Sequence, residues 1–561
     1  MAKPLQSPDL DRDSFYFIPL GGSEQFGMNL NVYVSGGRFL AVDLGLGFAD
    51  ENFPGIDLLL PDPAFLEEHQ DNLEALIITH AHEDHIGAVA YLWERLGCPI
   101  YATEFTAAIL YQKFEETKHK NLPIEIVKPM DIVEIGPFTV QFVPVAHSIP
   151  DTSALIIETA QGRVVHSGDW NLDPKPVLGM PTDPEIFKAV GKKGVLAYIG
   201  DSTNAEVPGR SGSESDIEKG LESEFKNCEG RVAVTIFSSN IGRIESIARA
   251  AEKCGRNVGI IGRSLHRMIA AARNCGYLDN IPDFVEEEDL GLMPDDKVVL
   301  IVTGSQGENR SALAKISRGD FQGVRMGRGD TVIFSARPIP GNEKAINAVK
   351  NNLNAAGVRV VTPSDTQNII HVSGHPCRDE IADMLRWVQP EIVIPVHGER
   401  IQLAAHADFA RECQVKTAII PNNGSVIRLA PGKPEIVDHV HTGLLAVDQK
   451  RLIPANHQSI VARRKLQYSG VVHVAVVMDI RGKVLGEPKL DTEGLIDPEN
   501  QAELQIEDRL FDEVLDLIEE MTAAERMDDE FVSEELRIGV RRFVFHTLGI
   551  KPKTTIHVMR I

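Results

Sequence analysis

The sequence lacks the features that mark a membrane-spanning, secreted or disulfide-rich protein. It contains no run of about 18 apolar residues, and the start MAKPLQSPDLDRD has no apolar segment behind a basic one. Its six cysteines lie far apart without a C-x-x-C pair, which argues against a disulfide framework and against a thiolate zinc site. We therefore expect a cytoplasmic protein with no membrane segment, whose cysteines are buried thiols.

Positive charge is also in short supply. The chain has 57 Lys and Arg against 81 Asp and Glu, which gives a formal net charge of −24 at pH 7. Nonspecific coating of nucleic acid depends on Lys and Arg neutralising phosphates, so this balance disfavours it. A local basic channel or a metal cluster can still reverse the field at one site, so an enzyme acting on nucleic acid stays possible.

Length and patterning predict several α/β layers. The 561 residues suggest roughly three domains. Short strands separated by turns dominate residues 14–200, and helices then alternate with strands over residues 205–365, which predicts a parallel sheet. Strands return over residues 380–430. After about residue 455, two strands flank an acidic amphipathic helix over residues 504–527, which we expect to pack on its own sheet.

The stretch THAHEDHIG, Thr79 to Gly87, holds three histidines and two acids behind the apolar run LEALII. Burying such groups costs several kcal/mol unless something pairs with them, so the loop is either exposed or holds a metal. His80 and His82 are two apart and can point the same way, while Asp84 and His85 begin a helix and can face a second point. Imidazole and carboxylate at ~2.0 to 2.2 Å are the ligands that catalytic zinc prefers. We therefore favour a metal site over a solvated polar loop.

Three further residues of metal-ligand type each follow a predicted strand: His147 in FVPVAHSIPD, Asp169 in VVHSGDWNLD and His397 in EIVIPVHGER. A lone histidine in such a place is more often a hydrogen-bonded core or surface residue. Open α/β sheets, however, gather their ligands at the C-terminal ends of strands. Beside the histidine cluster, these positions favour a shared metal centre.

Together with short motifs along the chain, these residues resemble the metallo-β-lactamase fold, its nucleic-acid-processing β-CASP branch and, within it, the ribonuclease J family. The motifs are AVDLG with Asp43, HAHEDH, HSIPD, SGDW, DSTNA, FSSNIGR, GSQGE, PIPGNE, HVSGH and PVHGE, between about residues 14 and 445. The resemblance implies a metallo-β-lactamase αββα sandwich with an inserted β-CASP α/β domain and a small C-terminal α+β domain. The implied segments are 1–204 and 369–450 for the metallo-β-lactamase domain, 205–368 for the β-CASP domain, and 451–561 for a linker and the C-terminal domain.

The resemblance also implies two zinc ions, with Mn²⁺ or Mg²⁺ in a supporting role left open. The ligands it implies are His80, His82 and His147 for one ion, Asp84, His85 and His397 for the other, and Asp169 as a bridge. This division leaves coordination positions open for water and substrate. Asp43 would orient a ligand without binding metal, or else be an ordinary turn residue after a strand. Glu83 has no assigned metal, so we expect it to support the cluster from outside or to face solvent.

The implied catalytic residues are Asp84, Asp201 and His375. In this interpretation His375 hydrogen-bonds or protonates the departing 3′ oxygen of the substrate, and Asp201 orients His375. The alternatives are a turn-capping role for Asp201 and a structural role for His375.

Two segments are predicted to bind phosphate or RNA. Their residues are His371, Ser373, Gly374 and His375 in HVSGH, and Ser238, Ser239 and Asn240 in FSSNIGR. Small residues permit close approach of the backbone to an anion, and the start of a helix attracts one. By itself, a Ser-Ser-Asn turn is as well explained as a helix cap. Arg243 and Arg337 are the expected charge partners.

The implied function is that of a zinc-dependent phosphodiesterase: a 5′-to-3′ exoribonuclease that prefers 5′-monophosphorylated RNA and also cuts internally, in RNA maturation and decay. Its partners would be single-stranded RNA, a second or further copies in a homodimer or homotetramer, and other RNA-decay proteins. Two alternatives stay open. One is a β-CASP nuclease acting on DNA, and the other is a non-catalytic RNA-binding scaffold, against which the complete ligand set argues.

Overall fold

The computed structural model describes residues 8, 10–115, 117 and 122–561, which include every predicted site residue. These residues divide into two compact units, the first within 1–48 and 58–445 and the second formed by 49–57 and 446–561. No helix in the described ranges has the length and apolar character needed to cross a membrane. The predicted domain boundaries at 204, 368 and 450 stay predictions.

The first unit contains two facing β-sheets. One sheet has, in spatial order, the strands Glu435–His439, Ser425–Ala430, Phe15–Gly21, Leu30–Ser35, Arg38–Val42, Leu73–Ile77, Ile100–Ala102 and Ile124–Ile126. The other has Thr417–Ala418, Ile392–Val396, Ala197–Asp201, Gly162–His166, Ser153–Thr159, Phe138–Pro144 and Ile132–Ile135. Buried side chains of both sheets, among them Phe17, Leu40, Phe142 and Ile199, form one core between them. A short pair, Gly47–Phe48 and Leu58–Pro61, lies apart from these sheets.

Helices cover the outer faces of the two sheets. They are Ala64–Glu68, Val89–Leu96, Glu104–Glu115, Pro184–Lys192, Arg378–Val388 and Arg400–Glu412, with a 3₁₀ turn at Gln70–Asn72. The short helix Glu83–Ile86 lies instead beside the strand-end loops. Phe65 packs on Phe39 of the first sheet. Phe187 and Ile381 pack with Val165 on the outer face of the second sheet. The predicted αββα sandwich is therefore confirmed.

The strands that carry the predicted site residues end at one edge of this sandwich. The strands that end before Asp169, at Asp201 and before His397 are parallel neighbours in one sheet. Those that end before Asp43 and shortly before His80 are parallel neighbours in the other. Loops at the C-terminal ends of both sheets are therefore brought together, as expected for α/β ligand sites.

The inserted segment forms a parallel sheet, as predicted. Its strands, in spatial order, are Asn257–Ile261, Val298–Val302, Val232–Thr235, Thr331–Phe334 and Arg359–Val361. Its helices are Ser215–Lys226, Ile241–Lys253, Arg263–Asn274, Ala312–Arg318 and Glu343–Ala355, with 3₁₀ turns at Leu290–Leu292 and Asp295–Lys297. Apolar residues of the strands and helices form a core of its own.

The strand Leu444–Asp448 carries the chain into the second unit. The remaining elements of this unit are the strands Arg451–Pro454, Val471–Met478, Lys489–Glu493 and Lys553–Arg560, the helices Gln458–Ser469, Gln501–Glu520 and Asp529–Leu548, and a 3₁₀ turn at Glu525–Met527. Leu510 and Val514 of the acidic helix pack with Val474 of the central strand, so the expectation that this helix covers its own sheet is confirmed.

The helical prediction for the second unit was incomplete. The acidic helix ends at Glu520 rather than near residue 527, and a second long helix, Asp529–Leu548, follows it. Gly539 and several β-branched residues weaken its helical signal in the sequence. In the structure, a Cβ at Gly539 would lie 2.2 Å from a Leu517 methyl carbon, so glycine permits the two helices to approach closely.

Candidate metal centre

His80, His82 and His147 converge on one point at the strand ends. The Nε2 atoms of His80 and His147 each lie 3.0 Å from Nδ1 of His82. These nitrogens and an oxygen of Asp169 all lie within 4.8 Å of one another. Burial lowers the pKa of His82 to about 3 and that of His147 to about 4, so both rings are neutral, which is the form that binds metal.

Asp84, His85 and His397 form a second group around the same Asp169. The Asp84 carboxylate lies 3.0 Å from Nε2 of His397 and 3.6 Å from Nε2 of His85. Burial lowers the pKa of His397, but the charge of Asp169 and the hydrogen bond to Asp84 outweigh it and raise that pKa to about 9. A metal ion bound by Asp84, His85 and His397 would displace the proton that the raised pKa favours on His397.

Asp169 provides the test of whether these residues fit a metal. Its side chain is 1% exposed, and neither oxygen has a hydrogen-bond partner among the described residues. One oxygen lies 3.3 Å from Nε2 of His85, 3.6 Å from that of His80 and 3.7 Å from that of His147. The other lies 3.6 Å from Nε2 of His397. Two ligands ~2.1 Å from a tetrahedral ion are about 3.4 Å apart, so the spacing and the N/O donor set fit zinc.

Asp43 orients the histidines from outside the cluster. Its carboxylate accepts hydrogen bonds from the Thr79 amide (2.8 Å) and hydroxyl (3.0 Å), and it lies 2.7 Å from Nδ1 of His85. The Thr79 hydroxyl lies 3.0 Å from Nδ1 of His80. One carboxylate thus sets the ring orientation of two predicted ligands, a role that supports metal sites generally. The backbone of Asp43 is left-handed, with φ of 63°, a conformation that Asp tolerates.

Asp201 and His375 form a pair beside the centre. Nδ1 of His375 lies 2.8 Å from Asp201, and the Thr203 hydroxyl donates a 2.7 Å hydrogen bond to the other oxygen of Asp201. That hydroxyl also lies 2.9 Å from Nδ1 of His397, so Asp201 supports both histidines. Burial lowers the pKa of His375, but Asp201 and Asp169 outweigh it and raise that pKa, which favours the protonated form that can donate a proton.

Most polar groups of the 371–375 segment are used within the protein. The Gly374 carbonyl accepts a 2.7 Å hydrogen bond from Nδ1 of His147, and a Cβ at Gly374 would lie 2.8 Å from Cε1 of the same ring. The Ser373 hydroxyl oxygen accepts from the His375 amide (3.2 Å) and from Asn204 (2.8 Å). Gly374 is therefore explained by the close approach to His147. The predicted phosphate contacts of this segment stay predictions.

The FSSNIGR segment serves as a helix cap. The Asn240 side chain accepts a 2.8 Å hydrogen bond from the Arg243 amide at the start of the helix Ile241–Lys253. Asn240 also lines, together with His147 and Ser373, a cleft that encloses about 410 Å³ including open solvent. Ser238 and Ser239 are partly exposed at the strand end. The cap and a place in the cleft are compatible.

The two arginines expected to pair with phosphate differ. The Arg243 guanidinium is fully buried, with 2.5 Å and 2.8 Å hydrogen bonds to the Glu214 carboxylate and a 2.8 Å bond to the Ser335 carbonyl. It is a structural residue, so that expectation for Arg243 is wrong. Arg337 is exposed and donates a 2.8 Å hydrogen bond to Asn204.

Burial and the charge of Arg243 lower the pKa of His371 to about 3, so His371 is neutral near pH 7.

Glu83 faces outward, with 42% of its side chain exposed, and pairs with Lys113 at 2.6 Å. The sequence interpretation missed Asn29, whose side-chain amide donates a 2.9 Å hydrogen bond to the Asp84 carbonyl. It also missed buried His166, whose Nδ1 lies 2.9 Å from the Tyr33 hydroxyl. His166 in VVHSGD had a usable signal, since it ends a strand three residues before Asp169. Asn29 had none.

Family comparisons agree with this geometry. Residues 53–185 match a beta-lactamase superfamily domain, and residues 229–353 match the beta-CASP domain of ribonuclease J. Residues 341–421 match a Zn-dependent metallo-hydrolase RNA specificity domain, and residues 459–561 match the ribonuclease J C-terminal domain. A solved protein of unknown function from Enterococcus faecalis V583 is 17% identical, covers 74% of this chain and all of its own, and superimposes with a TM-score of 0.51, which supports the fold alone.

Curated relatives extend over most or all of the chain. Ribonuclease J of Sinorhizobium meliloti is 43% identical over 568 residues and covers 100% of both chains. Ribonuclease J of Mycobacterium tuberculosis is 35% identical and covers 95% of both, and that of Synechocystis is 35% identical over 88% of this chain and 77% of its own. With this identity and coverage, the chain belongs to the ribonuclease J family.

Proposed function

We propose that this chain is a zinc-dependent ribonuclease that degrades RNA from the 5′ end, prefers a 5′-monophosphate and also cuts internally, in RNA maturation and decay. The observation that carries the proposal is the buried Asp169 carboxylate, which lacks a hydrogen-bond partner within the described ranges and lies among histidine nitrogens. Two relatives that cover 100% and 95% of the chain are named ribonuclease J, which supports RNA as the substrate.

We propose two zinc ions as the cofactors, with Mn²⁺ or Mg²⁺ as supporting metals. The ligands in this proposal are His80, His82 and His147 for one ion, Asp84, His85 and His397 for the other, and Asp169 for both. When bound, such ions activate water and stabilise negative charge on phosphate oxygens. Asp84 keeps 32% of its side chain exposed, against 1% for Asp169, so Asp84 is the more accessible of the two carboxylates.

His375 and Asp201, which lie beside the metal centre, act on the leaving group in this proposal. His375 donates its proton to the departing 3′ oxygen, because Asp201 and Asp169 raise its pKa and so favour the protonated ring. Asp201 holds the ring through the 2.8 Å contact and stabilises its charge. Arg337, exposed and hydrogen-bonded to Asn204, is the cation best placed to meet the adjacent phosphate.

The same proposal includes location and assembly. All six cysteines are free thiols, which suits the reducing cytoplasm. We expect a homodimer or homotetramer, to be checked by light scattering, and association with other RNA-decay proteins.

The test is digestion of one RNA sequence carrying a 5′-monophosphate, a 5′-triphosphate or a 5′-hydroxyl, with the matched DNA beside it. We expect release of nucleotides from the 5′ end, fastest for the monophosphate, and no comparable loss of DNA. Equal degradation of DNA would favour the DNA-nuclease alternative. If the wild type bound no zinc and a His80→Ala variant processed RNA equally well, the catalytic proposal would be wrong.

A further inference from the structure

One stretch of the second unit is free of acidic residues. In a chain with 81 Asp and Glu among 561 residues, residues 449–478 contain none, but they contain Lys450, Arg451, Arg463, Arg464 and Lys465. The stretch therefore departs sharply from the acidic character of the whole protein. Such a local surplus of positive charge makes a surface attractive to a polyanion.

The helix Gln458–Ser469 carries Arg463, Arg464 and Lys465 and is anchored within the second unit. Ile460 is buried, and the Arg463 guanidinium donates a 2.6 Å hydrogen bond to Asp448 and a 3.3 Å one to the Pro54 carbonyl. Arg451 also donates to the same Asp448 oxygen. One carboxylate is thus shared by two guanidinium groups, so the cluster keeps a net positive charge.

The other face of this helix is open. Arg464, Lys465 and Tyr468 are spaced so that they share that face. Tyr468 is 81% exposed, and Arg464 and Lys465 are exposed too. The side chains of these three residues make no ion pair or hydrogen bond with another residue in the described part of the chain. An exposed aromatic ring between unpaired cations is the combination by which proteins hold single-stranded nucleic acid without reading its sequence.

We propose that this basic patch, formed by Arg464, Lys465 and Tyr468 on the open face of the helix, binds a single-stranded segment of the RNA substrate other than the segment held at the metal centre. The cations contact phosphates and the tyrosine ring stacks on a base. The patch shares no residue with the metal centre, so it adds affinity for long RNA without taking part in hydrolysis. The inference rests on the proposed ribonuclease function, which supplies RNA as the polyanion.

The experiment compares the full-length protein with an Arg464→Gln/Lys465→Gln double variant and with Tyr468→Ala. Binding of a fluorescent, unstructured RNA of about 40 nucleotides is measured by anisotropy in a His375→Gln background, in which cleavage is slow. We expect each variant to weaken binding about tenfold. For the double variant, the slope of log Kd against log salt should fall by about 1.4, since about 0.7 counterion is released per phosphate neutralised on a single strand. In the active protein, KM should rise for the long RNA with kcat unchanged, and neither should change for a five-nucleotide RNA.

The matched control is Arg541→Gln/Arg542→Gln, which removes an adjacent pair of exposed arginines from another helix of the same unit. This control should leave RNA binding unchanged. Equal weakening by both double variants would overturn the proposal, because it would reflect net charge alone. The proposal would also be overturned if the patch variants bound RNA normally but lost binding to vesicles containing phosphatidylserine. That result would assign the patch to a membrane surface. Failure of the ribonuclease proposal would look different, as a wild type that degrades no RNA.

Discussion

The metal centre and the neighbouring 371–375 segment use their polar atoms in opposite ways. In the centre, outward-facing atoms such as Nδ1 of His80 and Nδ1 of His85 have protein partners, whereas the Asp169 oxygens have none in the described ranges. In the segment, the Gly374 carbonyl and the Ser373 hydroxyl oxygen are satisfied by His147 and Asn204. Unpaired buried atoms indicate a missing ligand, and paired ones indicate support. We infer that the main role of the 371–375 segment is to hold the side chains of the centre in place, and that contact with substrate is its secondary role.

The strongest test of this contrast is Asp169→Asn. The amide keeps the shape of the side chain but loses the charge that two cations would share, so we expect zinc content to fall and kcat/KM to drop by about 10³ or more. Metal analysis and RNA digestion measure the two effects. Asp173 provides a matched control, because it is also buried but its oxygens accept hydrogen bonds from Ser213 and from the Glu214 amide.

Asp173→Asn should cost about 1 to 3 kcal/mol in the free energy of unfolding while the protein keeps its zinc. Asp169→Asn should show the reverse, with metal lost and stability in chelator little changed. An Asp169→Asn protein with full zinc content and normal activity would contradict the distinction between unpaired and paired carboxylates.

The next effect concerns the pair beside the centre. His375→Gln should lower kcat by about 10² to 10⁴ without loss of zinc, because His375 donates a proton and binds no metal in our proposal. Asp201→Asn should lower kcat and also weaken zinc binding about 10- to 100-fold, since Asp201 supports His397 through Thr203. Rates and zinc dissociation constants would separate the two variants. Loss of zinc from His375→Gln would instead make His375 a ligand.

The same contrast explains what could be predicted from the sequence. Metal ligands come from few residue types, and they stand at strand ends or in a motif as dense as HAHEDH, so seven candidates could be named in advance, and the structure brings them together around Asp169. Their supports could not be named in advance. Thr203 and Asn204 look like ordinary turn residues, and their roles depend on His397 and Ser373, which lie far away along the chain. The α/β layers and the parallel sheet follow from strand and helix alternation, whereas the αββα sandwich was implied by the family resemblance. The helix Asp529–Leu548 was missed because tertiary packing overrides its weak local propensity.

Arg337 and Arg243 test the same distinction between substrate-facing and supporting groups, with a smaller expected effect on activity. Arg337→Gln should raise KM for 5′-phosphorylated RNA about tenfold and leave the unfolding transition unchanged, because the side chain is exposed. Arg243→Gln should lower the free energy of unfolding by about 3 to 5 kcal/mol, since it leaves the Glu214 carboxylate without its buried partner. Steady-state kinetics and urea denaturation measure these outcomes. A stable Arg243→Gln protein with a selective KM defect would return Arg243 to the phosphate site.

The smallest effect is a pH dependence of stability from His371. Its pKa is about 3 in the folded protein, lowered by burial and by Arg243 from an ordinary value of 6.5. The unfolded chain therefore takes up a proton below about pH 6.5 that the folded chain refuses, and stability falls as pH drops from there toward 3. In His371→Asn, up to about one proton fewer should be taken up on unfolding in this pH range, so the free energy of unfolding should fall less steeply there. Its slope against pH should not change at pH 7.5. Urea denaturation at several pH values measures both. If His371 instead bound phosphate as a cation, the substitution would leave that slope unchanged and raise KM more at pH 6 than at pH 8. His371 would then belong with the substrate-binding groups rather than with the supports.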